Sequence, residues 1–255
     1  MERQVEDPGA LERLAELVRR SRRTVVLTGA GISVPSGIPD FRSPETGLWA
    51  KVDPMEVAHI DVFRRDPERF WAFYGQRFAS LEGTRPNRAH AALVELEARG
   101  AIDAVITQNI DCLHRAAGSR DLVEVHGSIA TASCLACGEA VPLAEVRSRL
   151  ERAPDGVPRC TCGRALKPDV VLFGEMLDEG AMRRAAGLAA RADVLLCVGS
   201  SLEVHPVAGL PEVTLRRGGS VALVTMGPTP FDREAAVKLD GDVEAELTAL
   251  AAALA

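Results

Sequence analysis

The sequence predicts an α/β fold: a doubly wound, Rossmann-like parallel sheet interrupted by a small inserted zinc-ribbon domain. Three observations carry this expectation. First, the β-rich runs Thr24–Thr28, Ala104–Thr107, Leu122–Val125, Val194–Val198 and Val221–Val224 are separated by helical stretches such as Glu179–Arg191, the rhythm of parallel strands joined by crossover helices. Second, the first run leads straight into Gly29-Ala30-Gly31, where residues without bulk let the backbone turn sharply and approach an anion at a helix N-terminus. Third, the alternation breaks between Ile129 and Asp169, where Cys134-x-x-Cys137 and Cys160-x-Cys162 stand a loop apart. Residues 1–128 and 170–255 are therefore expected to form the nucleotide-binding domain, with 129–169 inserted as a metal-binding module.

Composition bounds the function. The 255 residues suit one large domain with a small insertion, and 47% hydrophobic content fills a sizeable core even though aromatics are only 4%. A net charge of −6 argues against nonspecific nucleic-acid binding and against a polybasic membrane contact. No apolar run approaches the roughly 20 residues of a membrane span. Met1-Glu2-Arg3-Gln4 lacks a signal-peptide core, so a cytoplasmic monomer is the expectation.

In chain order, Asp7-Pro8 is a cap for a first helix with Leu11, Leu14, Leu17 and Val18 on one face. Asp66-Pro67 starts a second helix carrying Phe70, Trp71, Phe73, Tyr74 and Phe78. Two readings of it stay open: a core-facing helix, or an apolar wall of a substrate channel. Pro86-Asn87 opens a further helix that Gly100 stops, and an Ala-rich helix closes the chain. The strand Ala104–Thr107 runs directly into Gln108-Asn109-Ile110-Asp111, and Leu122–Val125 delivers His126-Gly127 to the same rim. Polar clusters at the C-terminal ends of parallel strands are where open α/β sheets bind ligands.

The cysteines favour metal over disulfides in a reducing compartment. Cys134, Cys137, Cys160 and Cys162 supply four thiolates in two knuckles, the ligand set of one tetrahedral structural zinc with no position left for water. The second knuckle is one residue shorter than the common Cys-x-x-Cys. Cys112 and Cys197 have apolar neighbours and read as packing residues.

Several segments, in order, resemble the bacterial-type sirtuins, a family of NAD-dependent protein-lysine deacylases. They are Gly29-Ala30-Gly31-Ile32-Ser33, Gly37-Ile38-Pro39-Asp40-Phe41-Arg42, Thr107–Asp111 with Leu113-His114, His126-Gly127, the four cysteines, Lys167–Glu175 and Gly199–Pro206. The resemblance implies that Gly29, Ala30, Gly31, Ser33, Asp40, Phe41 and Arg42 line the NAD pocket. It implies that Gln108, Asn109, Ile110 and Asp111 hold the nicotinamide ribose and amide, and that Gly199, Ser200 and Ser201 meet the diphosphate and adenosine half. Thr225, Asp242 and Val243 would complete the adenine side. His126 would be the general base, with Asn109 beside it, because a neutral imidazole takes a proton near working pH. Phe173, Gly174, Glu175 and Val204 would pair with the backbone of an acyl-lysine peptide, a form of strand addition. NAD is implied as a co-substrate: the acyl oxygen attacks the ribose carbon as nicotinamide leaves, and O-acyl-ADP-ribose is released.

Two positions depart from the family pattern. Ser200 stands where Thr is usual, and Thr225 where Asn is usual. Tyr74 and Arg77, three residues apart on one helix, also resemble the pair by which one sirtuin class grips acidic acyl groups, although Asp40 resembles the deacetylase classes. Removal of acetyl groups is the leading expectation. Desuccinylation or demalonylation through Tyr74 and Arg77, mono-ADP-ribosyl transfer from the same pocket, and a noncatalytic NAD- or acyl-lysine-binding module are the alternatives.

Overall fold

The computed structural model describes residues 9–39, 52–81 and 83–255, with the backbone alone at 77–80. Asp7, Asp40, Phe41, Arg42 and the side chain of Arg77 lie outside the described residues.

The first helix, α1 (Ala10–Arg20), buries Leu14, Ala15 and Val18 along one stripe, as a period of 3.6 requires. Strand β1 (Thr24–Thr28) is buried throughout and gives way to a 3-10 turn over Ala30–Ser36. Two short helices that the sequence pattern did not reveal, α2 (Pro54–Val57) and α3 (Ile60–Arg65), are capped by Asp53 and His59. Next, α4 (Pro67–Ser80) begins where expected, with Asp66 accepting from the N–H of Arg69 at 3.0 Å. Asn87 and His90 form a reciprocal capping box on α5 (Arg88–Ala98). β2 (Ala104–Thr107), α6 (Leu113–Ala117) and β3 (Leu122–Glu124) follow.

The inserted region contains β4 (Gly127–Cys134), β5 (Ala140–Pro142), α7 (Leu143–Arg152) and β6 (Leu166–Val170). The chain then returns through α8 (Glu179–Arg191), β7 (Val194–Val198), α9 (Leu210–Arg216), β8 (Ser220–Val224), β9 (Val237–Leu239) and α10 (Val243–Ala253). The three residues of β9 are too few to show a period, and no strand is expected there from sequence.

The large sheet runs β3-β2-β1-β7-β8-β9, and every pairing in it is parallel. Successive residues point to opposite faces, so each strand feeds two cores. Val26, Val105, Leu196 and Val224 pack under α1, α5 and α10, while Val25, Leu27, Leu195 and Leu223 pack under α8 and α9. Both faces are covered, which explains why the strands read as continuous apolar runs. The order of connection reverses between β1 and β7. That switch point is where such sheets open a ligand crevice beyond their C-terminal strand ends.

The small sheet, β5-β4-β6, is antiparallel. Its core is shared with the helical segment before α5: Phe63, Phe70, Trp71 and Tyr74 pack with Ile129, Val141, Val146 and Leu166. The Trp71 indole N–H donates to the Leu166 carbonyl at 3.0 Å, so its one polar atom is satisfied inside that core. Of the two readings of α4, its aromatic residues at 70, 71 and 74 take the core-facing one. Among the described residues no helix is long and apolar enough to cross a membrane.

Candidate active site

The crevice floor at the switch point is bare backbone. The Gly29 N–H donates to Val198 O at 3.0 Å and the Gly31 N–H to Gly199 O at 2.8 Å, so the turn after β1 lies on the turn after β7. A Cβ on Gly31 would fall 2.7 Å from the Gly199 Cα, and one on Gly199, at φ +58, would fall 2.3 Å from the Ile32 nitrogen. Ile38, the last of the loop's apolar residues before position 40, is buried.

Around this floor stands a ring of polar side chains. Gln108 Nε2 donates to Ser200 Oγ at 2.9 Å. Asn109, only 6% exposed, donates through Nδ2 to Gly29 O at 3.0 Å and Ser33 Oγ at 3.2 Å, and Ser33 Oγ donates to Asp111 Oδ2 at 2.7 Å. The ends of β1, β2 and β7 are thus cross-linked into one rim. Among the described residues two non-glycine residues take left-handed backbone, Cys112 at φ 66 and Leu202 at φ 55. Each such residue costs on the order of 1–3 kcal/mol. Cys112 directly follows Asp111, whose Oδ1 accepts the Leu113 N–H, and Leu202 stands two residues after Ser200, whose Oγ accepts the N–H of Leu202 itself. The strain therefore lies at the two rim corners, where it aims the ring side chains.

His126 follows β3 at the same rim. Its Nδ1 lies 2.9 Å from Gln108 O. A carbonyl only accepts, so Nδ1 carries the proton and the Nε2 lone pair is left to act. Burial pushes the imidazole pKa below 6.5, against a smaller upward pull from the Gln108 carbonyl. A neutral, oriented imidazole with a free Nε2 is a general base at neutral pH.

Behind the ring lies a polar network to which sequence reasoning assigned no role. His114 Nε2 is 2.9 Å from Thr28 Oγ1, which donates to Thr107 Oγ1 at 2.8 Å, and Thr107 Oγ1 accepts the Asn109 N–H at 3.0 Å. The His114 and His90 rings meet edge to face at 4.9 Å, and among the described residues His114 Nδ1 and His90 Nε2 have no partner. The only sequence signal is polar residues ending otherwise apolar strands. Burial first, then the neighbouring His90, holds the His114 pKa at about 3 against an ordinary 6.5. Between those values the unfolded chain binds a proton that the folded chain refuses. The group costs nothing above pH 6.5 and destabilises increasingly below it, by up to about 1.4 kcal/mol per pH unit. Unfolding midpoints in denaturant, measured from neutral pH down to about 4.5, should therefore fall less steeply in His114→Leu than in wild type, by one proton's worth of slope. Parallel slopes would mean that His114 is not buried neutral.

The second cluster is the four cysteines, whose Sγ atoms all lie within 4.8 Å of one another. Each knuckle closes on a left-handed glycine: the Gly138 N–H donates to Cys134 O and the Gly163 N–H to Cys160 O, at 2.9 and 3.0 Å. Glu139 ties the knuckles together, accepting from Thr161 N at 2.9 Å, Thr161 Oγ1 at 2.6 Å and Arg149 at 2.9 Å, and these bonds hold its carboxyl at about 2. The 134–162 and 137–160 sulfur pairs stand 3.6 and 3.5 Å apart, close to the edge of about 3.8 Å of a tetrahedron with Zn–S bonds of about 2.3 Å. The short knuckle draws its own sulfurs to 2.8 Å, and Cys162 N–H donates to Cys160 Sγ. Four sulfurs converging without a disulfide fit a closed structural zinc site.

The Sir2 family model matches residues 29–206, from the floor glycine to the end of the Gly199 segment. This chain belongs to the Sir2 family. It is 45% identical to an NAD-dependent protein deacetylase of Sulfolobus acidocaldarius over 88% of this chain and 87% of that one. It is 43% identical to the Thermotoga maritima NAD-dependent protein deacetylase, over 91% and 94%, and 45% identical to a Thermus thermophilus NAD-dependent protein deacylase, over 87% of both. Among solved structures, a Sir2 histidine variant with a deacetylated p53 peptide and 3'-O-acetyl ADP ribose superposes with a TM-score of 0.90 at 41% identity, covering 94% of this chain and 96% of that chain. A Sir2–p53 peptide–NAD+ complex superposes at 0.85 and 41%, over 93% and 95%.

The remaining sirtuin positions fall in two places. Beyond β7 in the sheet, Thr225 follows β8 and is buried, with its N–H bonded to Leu239 O. Asp242 caps α10 through the Ala245 N–H at 2.9 Å, and Val243 packs into the core below. Ser201 lies beside Ser200 on the crevice rim. On the module side, Ile110 packs against the small core, and its carbonyl accepts the Ile129 N–H at 3.0 Å, tying the rim to β4. Phe173 is 42% exposed and Gly174 takes φ +81, while Val204 is half-buried and accepts the Ala208 N–H. Tyr74 is 7% exposed and stacks on Phe70 at 4.4 Å.

Proposed function

We propose that this chain is an NAD-dependent protein-lysine deacylase that acts first on acetyl-lysine and yields nicotinamide, O-acyl-ADP-ribose and free lysine. The carrying observation is His126: a neutral imidazole with Nδ1–H committed to Gln108 O and Nε2 free at the crevice rim. In this reading NAD is a substrate, and it supplies the ribose hydroxyl that receives the acyl group. His126 Nε2 takes the proton from that hydroxyl. Asn109 and Asp111, held through Ser33, orient the ribose and amide, and the side-chain-free floor at Gly29, Gly31 and Gly199 leaves room for the diphosphate. Residues 1–128 and 170–255 hold the dinucleotide, 129–169 carry the zinc, and the acyl-lysine peptide adds as a strand between Gly174 and the Val204 segment. Asp40, Phe41 and Arg42 would close over the nucleotide. Thr225, Asp242 and Val243 bound the adenine end. The chain's substrates in this reading are acylated proteins of the cytoplasm, a compartment that keeps such thiols reduced for metal.

Incubation of the protein with NAD and acetyl- or succinyl-lysine peptides tests the proposal. Expected are nicotinamide, O-acetyl-ADP-ribose and deacetylated peptide in equal amounts. A mass gain on the peptide would mean ADP-ribosyl transfer instead, and no turnover would mean a binding module. The burial of Tyr74 against Phe70 favours acetyl over acidic acyl groups. If Arg77 nevertheless grips a carboxylate, Arg77→Met should cost desuccinylation about 1.5–3 kcal/mol and spare deacetylation.

A further inference from the structure

We infer that Lys167 and Glu175 form a buried clasp that shapes the peptide-binding loop, acting as a positioning pair whose charges never touch the substrate. This rests on the reading above, in which the peptide adds as a strand at Gly174. Lys167 sits in β6 and is 7% exposed. Its ammonium donates to Pro168 O at 3.1 Å and Val170 O at 2.8 Å and forms an ion pair with Glu175 Oε2 at 2.9 Å. The same Glu175 Oε2 accepts the Leu172 N–H at 2.9 Å, and the Glu175 N–H donates to Leu172 O at 3.0 Å. The strand end and the loop after it are thereby folded around one charge pair.

The opposite side of the loop is held as well. Phe173 donates its N–H to Ala58 O and accepts from the Ile60 N–H, both at 3.0 Å. The His59 ring lies so close to Gly174 that a Cβ there would fall 2.5 Å from its Nε2. Gly174 therefore keeps its N–H and C=O without partners among the described residues, between the exposed side chains of Phe173 and Met176. Those are the groups an added strand needs. The clasp and the Ala58–Ile60 contact fix where they point. A buried ammonium stripped of its carboxylate is strongly unfavourable, so losing Glu175's charge should turn Lys167 toward solvent and release the loop, at a distance from the nucleotide crevice.

Steady-state kinetics with acetyl-peptide and NAD varied in turn test the clasp in the zinc-loaded enzyme. Glu175→Gln, equal in size and lacking the charge, should raise the peptide KM about tenfold while the NAD KM and kcat stay within about twofold. Lys167→Met should do the same, and the double variant Lys167→Met/Glu175→Gln should be no worse than the poorer single one, because both remove one interaction. Should Lys167→Met lose its zinc, Glu175→Gln alone decides. Hydrogen exchange at Gly174 and Met176 with and without peptide separates the two claims. No slowing by peptide removes the loop as the peptide site, and the clasp's purpose with it. Slowing by peptide, with an unchanged peptide KM in Glu175→Gln or with both KM values and kcat moving together, overturns the clasp alone.

Discussion

His126→Ala should lower kcat/KM for acetyl-peptide by about 10²–10⁴-fold, the usual worth of a positioned general base, and leave NAD binding little changed. Among the described residues the ring's one hydrogen bond goes to a main-chain carbonyl, Gln108 O, and the floor and ring of the crevice are held by other residues. Alanine removes the proton acceptor and leaves Gln108 O at a half-buried rim position that water can reach. The wild-type pH profile gives the same assignment an independent check. Burial lowers the His126 pKa, and the base works only when neutral. The acid limb of kcat/KM should therefore fall below pH 6.5, the ordinary histidine value, and should be missing from the residual activity of the alanine variant. An alanine variant that keeps wild-type turnover would dismiss His126 as the base.

Zinc removal should have the other large effect. One zinc per chain is expected, held by Cys134, Cys137, Cys160 and Cys162. Structural zinc contributes about 10 kcal/mol or more of apparent folding energy, and here it closes both knuckles of a module of only three strands and one helix. That module shares its core with Phe63, Phe70 and Trp71, so melting should spread to α4 and to the loop after β6. The cores flanking the large sheet use none of these residues. Chelation, or Cys134→Ser, should accordingly abolish deacylation and still permit NAD binding. In a Trp49→Phe background, Trp71 is the sole tryptophan of the two. It is 1% exposed with its N–H bonded to Leu166 O, so its emission should shift to the red as zinc leaves. Full activity in protein stripped of metal would refute a structural zinc site.

Much of the architecture was legible because its signals are local. Each strand of the large sheet except β9 announces itself as a short apolar run. The site motifs directly follow those runs, so knowing where a strand ends is knowing what stands at the rim. The thiol knuckles are equally local, since each needs only a Cys pair and a turn glycine. The aromatic helix was ambiguous for the opposite reason. A periodic apolar face says that something covers it, and only the fold showed that α4 is covered by β4, β6 and α7, residues far along the chain.

By itself, then, the sequence determined a doubly wound sheet with an inserted four-cysteine module, a glycine-rich turn after β1, and a histidine at the end of β3. Each of these is encoded within a few consecutive residues. The tertiary structure decided that β7 lies beside β1, so that Gly199 meets Gly31 and the crevice opens at the switch point. It decided that His114 and His90 are buried edge to face behind Asn109, which turns an ordinary histidine into one titrating near 3. It also paired the Glu175 carboxylate with the buried Lys167 ammonium. Burial and charge pairing are sums over neighbours that the chain brings together from distant positions. No local pattern carries them, and they separate His126 at the rim from His114 buried behind it.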